Sequence, residues 1–489
     1  MSLKLFGKNA VVYAIGNVGL RAASFILIPL YTHSLSIEDY GLLMTLVLTM
    51  QFMLEAMNCG MRPCLVRFTK EYEKTNRLSV LLGTSSFINL LAGLVITGIS
   101  LLLLVPVLRV VLHLADVSSY IYLICLISLL QSLSIHVMAY YRAQNAAIKF
   151  MMTGIVTAGI LFVNSYIFLY VLHMGITGAL WAKVATYAIV LVLVLLDVFM
   201  RTGIKISLTL IPALVRFGFP LIFSTSSQYV ITGASVYFLS LFSGLEAVAI
   251  YSLGQKLAAV LAIVLILPFQ QSFGPFVFAN LDSPKVKKQI SRLLTYLVTA
   301  IAGLSFCILF GARLLLPYIA PPEYAPAYIV ILLLLPGMAF IGIYYFAETL
   351  IDIVQKTHLT GLTMTVCAIL CVSLNYLLVR PLSWYGAIIA TNVSFIFVGS
   401  ALLIIGRKKY PIPIEWRRLG IAIGLFTAVI ITNLALLKVN NASYYLISII
   451  AVFAMGCALH FSSFYDMQEK LLFKNTAEKF KTILPGFLR

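Results

Sequence analysis

The sequence predicts an all-α polytopic membrane protein with fourteen transmembrane helices, arranged as two six-helix parallel-repeat lobes followed by a C-terminal two-helix hairpin. Three observations carry that expectation. Apolar residues make up 62% of the 489 and charged residues 10%, which leaves more hydrophobic surface than a water-soluble globule can bury. Apolar runs long enough to cross a hydrocarbon core of about 30 Å recur from end to end, so helices rather than barrel strands do the spanning. Two short signatures then return at one shared spacing of 208 residues. Ser36-Ile37-Glu38-Asp39-Tyr40-Gly41 is echoed by Gly244-Leu245-Glu246-Ala247-Val248-Ala249, and Gly178-Ala179-Leu180-Trp181-Ala182 by Gly386-Ala387-Ile388-Ile389-Ala390.

Along the chain the expected spans cover 10–33, 40–61, 79–105, 119–141, 150–173, 177–200, 217–242, 247–273, 293–316, 327–352, 359–379, 384–406, 418–437 and 443–464. The first is too long for a cleavable signal, contains Arg21, and is followed by no small-residue cleavage pattern. Glu38 and Asp39 open the second, where acids suit the positive end of a helix. The basic segment from Arg201 to Arg216 separates the sixth span from the seventh and divides the lobes, 1–205 and 206–409. Six spans per lobe is an even number, so both lobes start on the same side and the repeats run parallel, a usual architecture of transporters. Arg407-Lys408-Lys409-Tyr410-Pro411-Ile412-Pro413 sets off the last two spans as an accessory unit, 410–465. In the tail, 466–489, lysines alternate with Leu471, Leu472, Phe480 and Leu484, which suits either a helix on the membrane surface or a solvated tail.

The formal charge of +18 is placed unevenly. With the amino terminus in the cytoplasm, 27 Lys and Arg fall in inner segments and 4 in outer ones, a strong positive-inside bias that sets the orientation, with both termini cytoplasmic. Basicity therefore reports topology and attraction to anionic membrane lipid rather than nucleic-acid binding. The seven cysteines show no disulfide framework and no zinc spacing; Cys367 and Cys371 share a helix face and read as packing residues. Neither a G-x-x-x-x-G-K-[ST] loop nor an H-E-x-x-H helix occurs, so neither nucleotide hydrolysis nor a catalytic metal is expected, and no cofactor is implied.

An ionisable group near the bilayer centre costs about 2.5–3.5 kcal/mol and needs a partner or water. Arg21, Glu55 and Lys256 sit deep by count. Asn17, Arg21 and Ser24 share one face of the first span, and Gln51, Glu55 and Asn58 one face of the second. Ser224, Gln228, Thr232 and Ser235 stripe the seventh, and Ser252 accompanies Lys256 on the eighth. Such stripes suit a hydrated cavity between two lobes. Arg21 and Glu55 lie within about 6 Å in depth, so they either pair privately or face that cavity. Lys256 has no acid near it on its own helix, which favours an anionic ligand. The amides Gln131, Asn164 and Asn392 read as links between helices.

With these residues in place the chain resembles a bacterial polysaccharide flippase of the O-antigen (Wzx) type, in the multidrug/oligosaccharidyl-lipid/polysaccharide (MOP) exporter superfamily. The resemblance rests on Glu38-Asp39-Tyr40-Gly41, Phe217-Gly218-Phe219-Pro220-Leu221, Ala249-Ile250-Tyr251-Ser252-Leu253 with Lys256, Glu323-Tyr324-Ala325-Pro326-Ala327 and Tyr385-Gly386-Ala387. It implies movement of a polyprenyl-diphosphate-linked oligosaccharide from the inner to the outer leaflet of the bacterial cytoplasmic membrane, with no enzymatic step. It also brings polysaccharide polymerase and chain-length machinery as candidate partners. On that reading Arg21 and Lys256 bind the diphosphate, Asn17, Gln228 and Thr232 touch sugar, and Glu55 is the candidate for ion coupling. The alternatives are a cation-coupled drug or metabolite antiporter of the same superfamily, a peptidoglycan-precursor flippase, and, from another class, a membrane glycosyltransferase or polymerase. The last would be expected to carry a sizeable outer loop, and none is present.

Overall fold

The computed structural model describes residues 25–112, 118–144, 146–437, 439–440 and 443–451, with the side chains at 109–112, 147, 201 and 220–228 outside that description. Every regular element among the described residues is helical. In chain order they are α1 (25–34), α2 (Ile37–Asn58), α3 (Met61–Lys74), α4 (Leu78–Leu112), α5 (Ser118–Ala143), α6 (Ala147–Tyr166), α7 (Gly175–Thr202) and α8 (Ile211–Phe242). There follow α9 (Leu245–Ala258), α10 (Leu267–Phe278), α11 (Val286–Ile319), α12 (Ala327–Ile353), α13 (Thr357–Leu382), α14 (Trp384–Lys409), α15 (Trp416–Ala435) and α16 (443–451). Among the described residues eleven helical runs are long and apolar enough to cross a membrane, which makes this a multi-pass membrane protein. The first expected span is described only from residue 25 and the fourteenth only to 451. Asn17 and Arg21 lie outside the described residues.

Two expected spans are interrupted, each for a local reason. The second does not run through to residue 61. It stops at Asn58, and Cys59 and Gly60 take left-handed backbone with φ of 49° and 71° before α3 begins. Gly60 lies so close against the backbone of Gly218 that a side chain would have no room, and the Asn58 Oδ1 accepts the Arg62 amide at 3.2 Å. The eighth span divides into α9 and α10 around a π segment, Ala262–Ile266. Pro268 follows it. Proline has no N–H and crowds the carbonyl four residues back, and a widened turn accommodates both defects.

Contacts divide the chain into two compact units, Met1–Leu281 with Ala312–Pro411, and Asp282–Gly311 with Ile412–Arg489. In lipid, helices gain little from leaving one apolar medium for another, so close backbone approach and interhelical hydrogen bonds hold them. The duplicated Gly-Ala signature marks such a joint in both halves of the first unit. Gly178 seats α7 against the carbonyl of Phe168, and Gly386 seats α14 against that of Leu378. Likewise Glu38 and Glu246 each stand in the first turn of a helix, α2 and α9. Asn392 repairs the break that Pro336 makes in α12: its Nδ2 donates to the Leu333 carbonyl at 2.6 Å and its Oδ1 accepts the Gly337 amide at 2.7 Å. Asn164 similarly ties α6 to Thr186 of α7 at 3.0 Å. In the second unit Glu415 receives Arg292 at 3.5 Å and Arg418 at 3.3 Å, and the Tyr444 hydroxyl donates to Asn433 at 2.7 Å.

Candidate functional site along the α2 seam

Within the first unit α2 lies against α8 and α9, two helices of the second half of the chain. The approach is tight at both ends of α2: Gly41 meets the backbone of Leu245, and Gly60 that of Gly218. Between those points polar side chains join α2 to α8 in antiparallel order. Thr45 and Ser240 hydroxyls are 2.9 Å apart, as are those of Thr49 and Tyr237, and the Gln51 amide donates to the Tyr229 hydroxyl at 3.0 Å. Phe52 packs between the rings of Tyr229 and Tyr237, at 6.4 and 6.1 Å.

Of the stripe expected on α2, Gln51 and Glu55 meet the Tyr229 hydroxyl of α8 and Asn58 accepts the Arg62 amide, while Tyr237 of α8 meets Thr49. Those partners escaped the sequence reading because tyrosine counts as apolar in hydropathy, although Tyr229, Gly233 and Tyr237 recur every four residues as one helix face would. On α8 the Thr232 hydroxyl donates to its own helix at the Tyr229 carbonyl, 3.3 Å, while the Thr232 carbonyl accepts the Gln255 amide at 3.0 Å. Ser235 turns instead toward α14, where Thr391 lies 3.1 Å away. The side chain of Gln228 lies outside the described residues.

Glu55 is 7% exposed. Its carboxylate accepts the Arg62 guanidinium at 2.6 Å and the Tyr229 hydroxyl at 3.2 Å. The sequence reading left Arg21 either paired privately with Glu55 or facing the cavity, and counted Arg62 among the inner charges; Arg21 lies outside the described residues, and the ion pair seen for Glu55 is with Arg62. A spacing of seven residues, two helical turns, was the available signal. The break at Cys59 and Gly60 places α3 so that its first arginine reaches back.

Lys256 is half-buried at the other end of the seam. Its ammonium reaches the Tyr40 hydroxyl at 3.3 Å and the Met44 thioether at 2.8 Å, both on α2, and stands 5.3 Å from the centre of the Tyr40 ring. No ion pair to Lys256 occurs among the described residues, and the charge that acts on it, Lys183 of α7, has the same sign. Tyr40 is fully buried and meets the ring of Tyr324 edge-on at 5.7 Å. Three motif residues scattered through the sequence, Tyr40, Lys256 and Tyr324, thus converge on one place. Ser252 Oγ, one turn before Lys256 on α9, and Tyr324 Oη are buried without a hydrogen-bond partner among the described residues. An ammonium carries three donors; here one oxygen and one weakly accepting sulfur serve them. Such a site is equipped to take oxyanion acceptors.

Cys367 donates to the Ser394 carbonyl at 3.1 Å and Cys371 to that of Ile231 at 3.6 Å, as helix contacts. Among the described residues no group of His, Cys, Asp and Glu could hold a metal ion.

Comparison with solved structures gives the fold. An inward-facing multidrug resistance MATE family transporter of the MOP superfamily superposes with a TM-score of 0.64 at 13% identity, over 84% of this chain and 99% of its own. A MATE transporter from Vibrio cholerae gives 0.56 at 16% identity, over 83% and 96%. A MOP superfamily transporter from Pyrococcus furiosus gives 0.56 at 12%, over 82% and 95%. No curated protein matches the sequence. The profile described as polysaccharide biosynthesis protein matches residues 6–280, more than half of the 489. That stretch contains the whole of α2, α8 and α9, and with it the seam, so the chain belongs to the polysaccharide biosynthesis protein family.

Proposed function

We propose that the protein is a flippase that carries a polyprenyl-diphosphate-linked oligosaccharide from the inner to the outer leaflet of the bacterial cytoplasmic membrane by alternating access. One observation carries the reading: Lys256 places an ammonium, without a countercharge among the described residues, in the seam between helices of the two halves. A lipid diphosphate leaving headgroup water needs positive charge, and its sugars need hydroxyls and amides. Lys256 and Arg21 hold the diphosphate, and Asn17, Gln228 and Thr232 meet the sugar, while the polyprenyl tail stays in lipid. A cationic drug would meet repulsion at Lys256 and Lys183.

Glu55 enters the scheme differently. Its carboxylate is occupied by Arg62 and Tyr229, so a proton or sodium ion binds there only as Arg62 lets go. Coupling through Glu55 requires transport to follow a proton or sodium gradient in proteoliposomes and the Glu55→Gln variant to lose that dependence.

The test of the whole is a reconstituted assay with fluorescent lipid-linked glycan. Wild-type protein moves it between leaflets with its mass unchanged, and Lys256→Ala removes the movement at an undiminished protein level. Normal movement by that variant defeats the assignment of Lys256, and an altered mass makes the protein an enzyme.

A further inference from the structure

We infer that Tyr324 and Ser252 complete the Lys256 site, as the hydroxyl donors that select a phosphoryl headgroup. The inference rests on the flippase reading and adds to it two residues that neither the motifs nor the stripes singled out as ligands.

Its basis is an accounting of hydrogen bonds. Ser252 is 4% exposed and Tyr324 1%, and neither hydroxyl has a partner among the described residues. Buried polar groups in folded proteins are nearly always paired, so these two, one on the helix that carries Lys256 and one packed against its partner Tyr40, mark donors open to a ligand's acceptors. Geometry ties them together. Ser252 lies four residues before Lys256, on the same face of α9. Tyr324 packs its ring edge-on to Tyr40, whose hydroxyl holds the Lys256 ammonium. The remaining partner of that ammonium is the Met44 sulfur, a weak acceptor that an anionic oxygen would outcompete.

The ligand chemistry follows from the donors. An ammonium, a hydroxyl one turn before it on α9 and a tyrosine packed against its Tyr40 partner, with exposed Glu323 the acid next to Tyr324, call for one group with several acceptor oxygens and negative charge. A phosphoryl group has them; a neutral sugar offers donors as often as acceptors, and an organic cation brings charge of the wrong sign. Hydroxyl donors to such oxygens form charge-assisted bonds, the stronger kind. The same donors would accept inorganic diphosphate or the diphosphate of a polyprenyl lipid, and the experiment separates these sources.

The measurement uses the full chain in nanodiscs, with thermal protection and transport as paired readouts. The probes are inorganic diphosphate in solution and polyprenyl diphosphate in the disc. Tyr324→Phe and Ser252→Ala each weaken protection by polyprenyl diphosphate about fivefold to tenfold, one good hydrogen bond by the usual conversion, and raise the transport KM by the same factor. The ligand-free melting temperature does not fall, because each variant removes a hydroxyl that had no partner; a merely structural hydroxyl would lower it. Protection by inorganic diphosphate alone assigns the site to a soluble phosphate. Wild-type affinity for both probes in both variants, with binding lost in Lys256→Ala, overturns the inference and leaves the flippase reading standing. Wild-type affinity in Lys256→Ala itself sinks both.

Discussion

At one end of the α2 seam the Glu55 carboxylate accepts from Arg62 at 2.6 Å and from Tyr229 at 3.2 Å. At the other the Lys256 ammonium finds a tyrosine hydroxyl at 3.3 Å and a thioether at 2.8 Å. Both are deep charges on helices that meet between the halves of the chain, and both looked alike by depth. Their surroundings separate them. A buried charge that has its countercharge and a further hydrogen bond is part of the framework. One that has hydrogen bonds but no countercharge among the described residues costs stability in the resting protein, and proteins keep such groups where something else binds. Under the proposed function the difference sets Glu55 as a latch against Lys256 as a ligand group, and it can be broken by experiments that reverse the expected signs.

The largest effect belongs to Glu55. Glu55→Ala strands Arg62 and frees the Tyr229 hydroxyl, and breaking a buried pair costs about 3 kcal/mol, the low end of the usual range because Arg62 keeps access to water. Thermal unfolding in nanodiscs should show a clear fall in melting temperature. An unchanged value would place Glu55 with Lys256 among the charges kept for binding.

Next comes a neutral polar group as calibration. Asn392 serves both the Leu333 carbonyl and the Gly337 amide beside Pro336. Asn392→Ala leaves two backbone groups unpaired in a dry helix contact, at a cost of about 2 kcal/mol. A smaller loss than for a single seam hydroxyl would mean that water reaches the break in α12.

Much of this was legible before any coordinates. Apolar run length located the helices, because the bilayer thickness sets a length that sequence must match. The glue role of Asn392 and Asn164 followed from the cost of a lone amide in lipid. What stayed hidden depends on places where the helix stops being regular. A hydropathy window averages over the break at Cys59 and Gly60, so Arg62 read as an interfacial charge rather than the partner of Glu55. Tyr40, Tyr229 and Tyr324 carry the polar contacts of the seam through one oxygen each, and hydropathy scores their rings. Lys256 was found because an isolated cation in an apolar run is visible without any knowledge of its partners.

For Lys256 the expected stability change has the opposite sign. Lys256→Met keeps the length of the side chain, packs against Tyr40 and Met44, and removes a charge with no counterion; the gain is about 1 kcal/mol. The same variant loses glycan transport. A rise in melting temperature with loss of transport is the signature of a group retained for binding at the expense of stability. A fall would show that Lys256 holds α2 and α9 together, and the contrast with Glu55 would disappear.

The smallest effects lie between the two charges. The hydroxyl pairs Thr45 with Ser240 and Thr49 with Tyr237 join α2 to α8 without net charge, and hydrogen bonds between membrane helices contribute about 0.6 kcal/mol each. A double-mutant cycle of Thr49→Val and Tyr237→Phe isolates one such term. If alternating access opens the seam, contacts this weak are what the middle of it requires: several of them hold the register of two helices, yet none has to be replaced at high cost when they part. A coupling energy of several kcal/mol would make the α2–α8 contact a permanent joint, and the moving interface would then have to lie elsewhere.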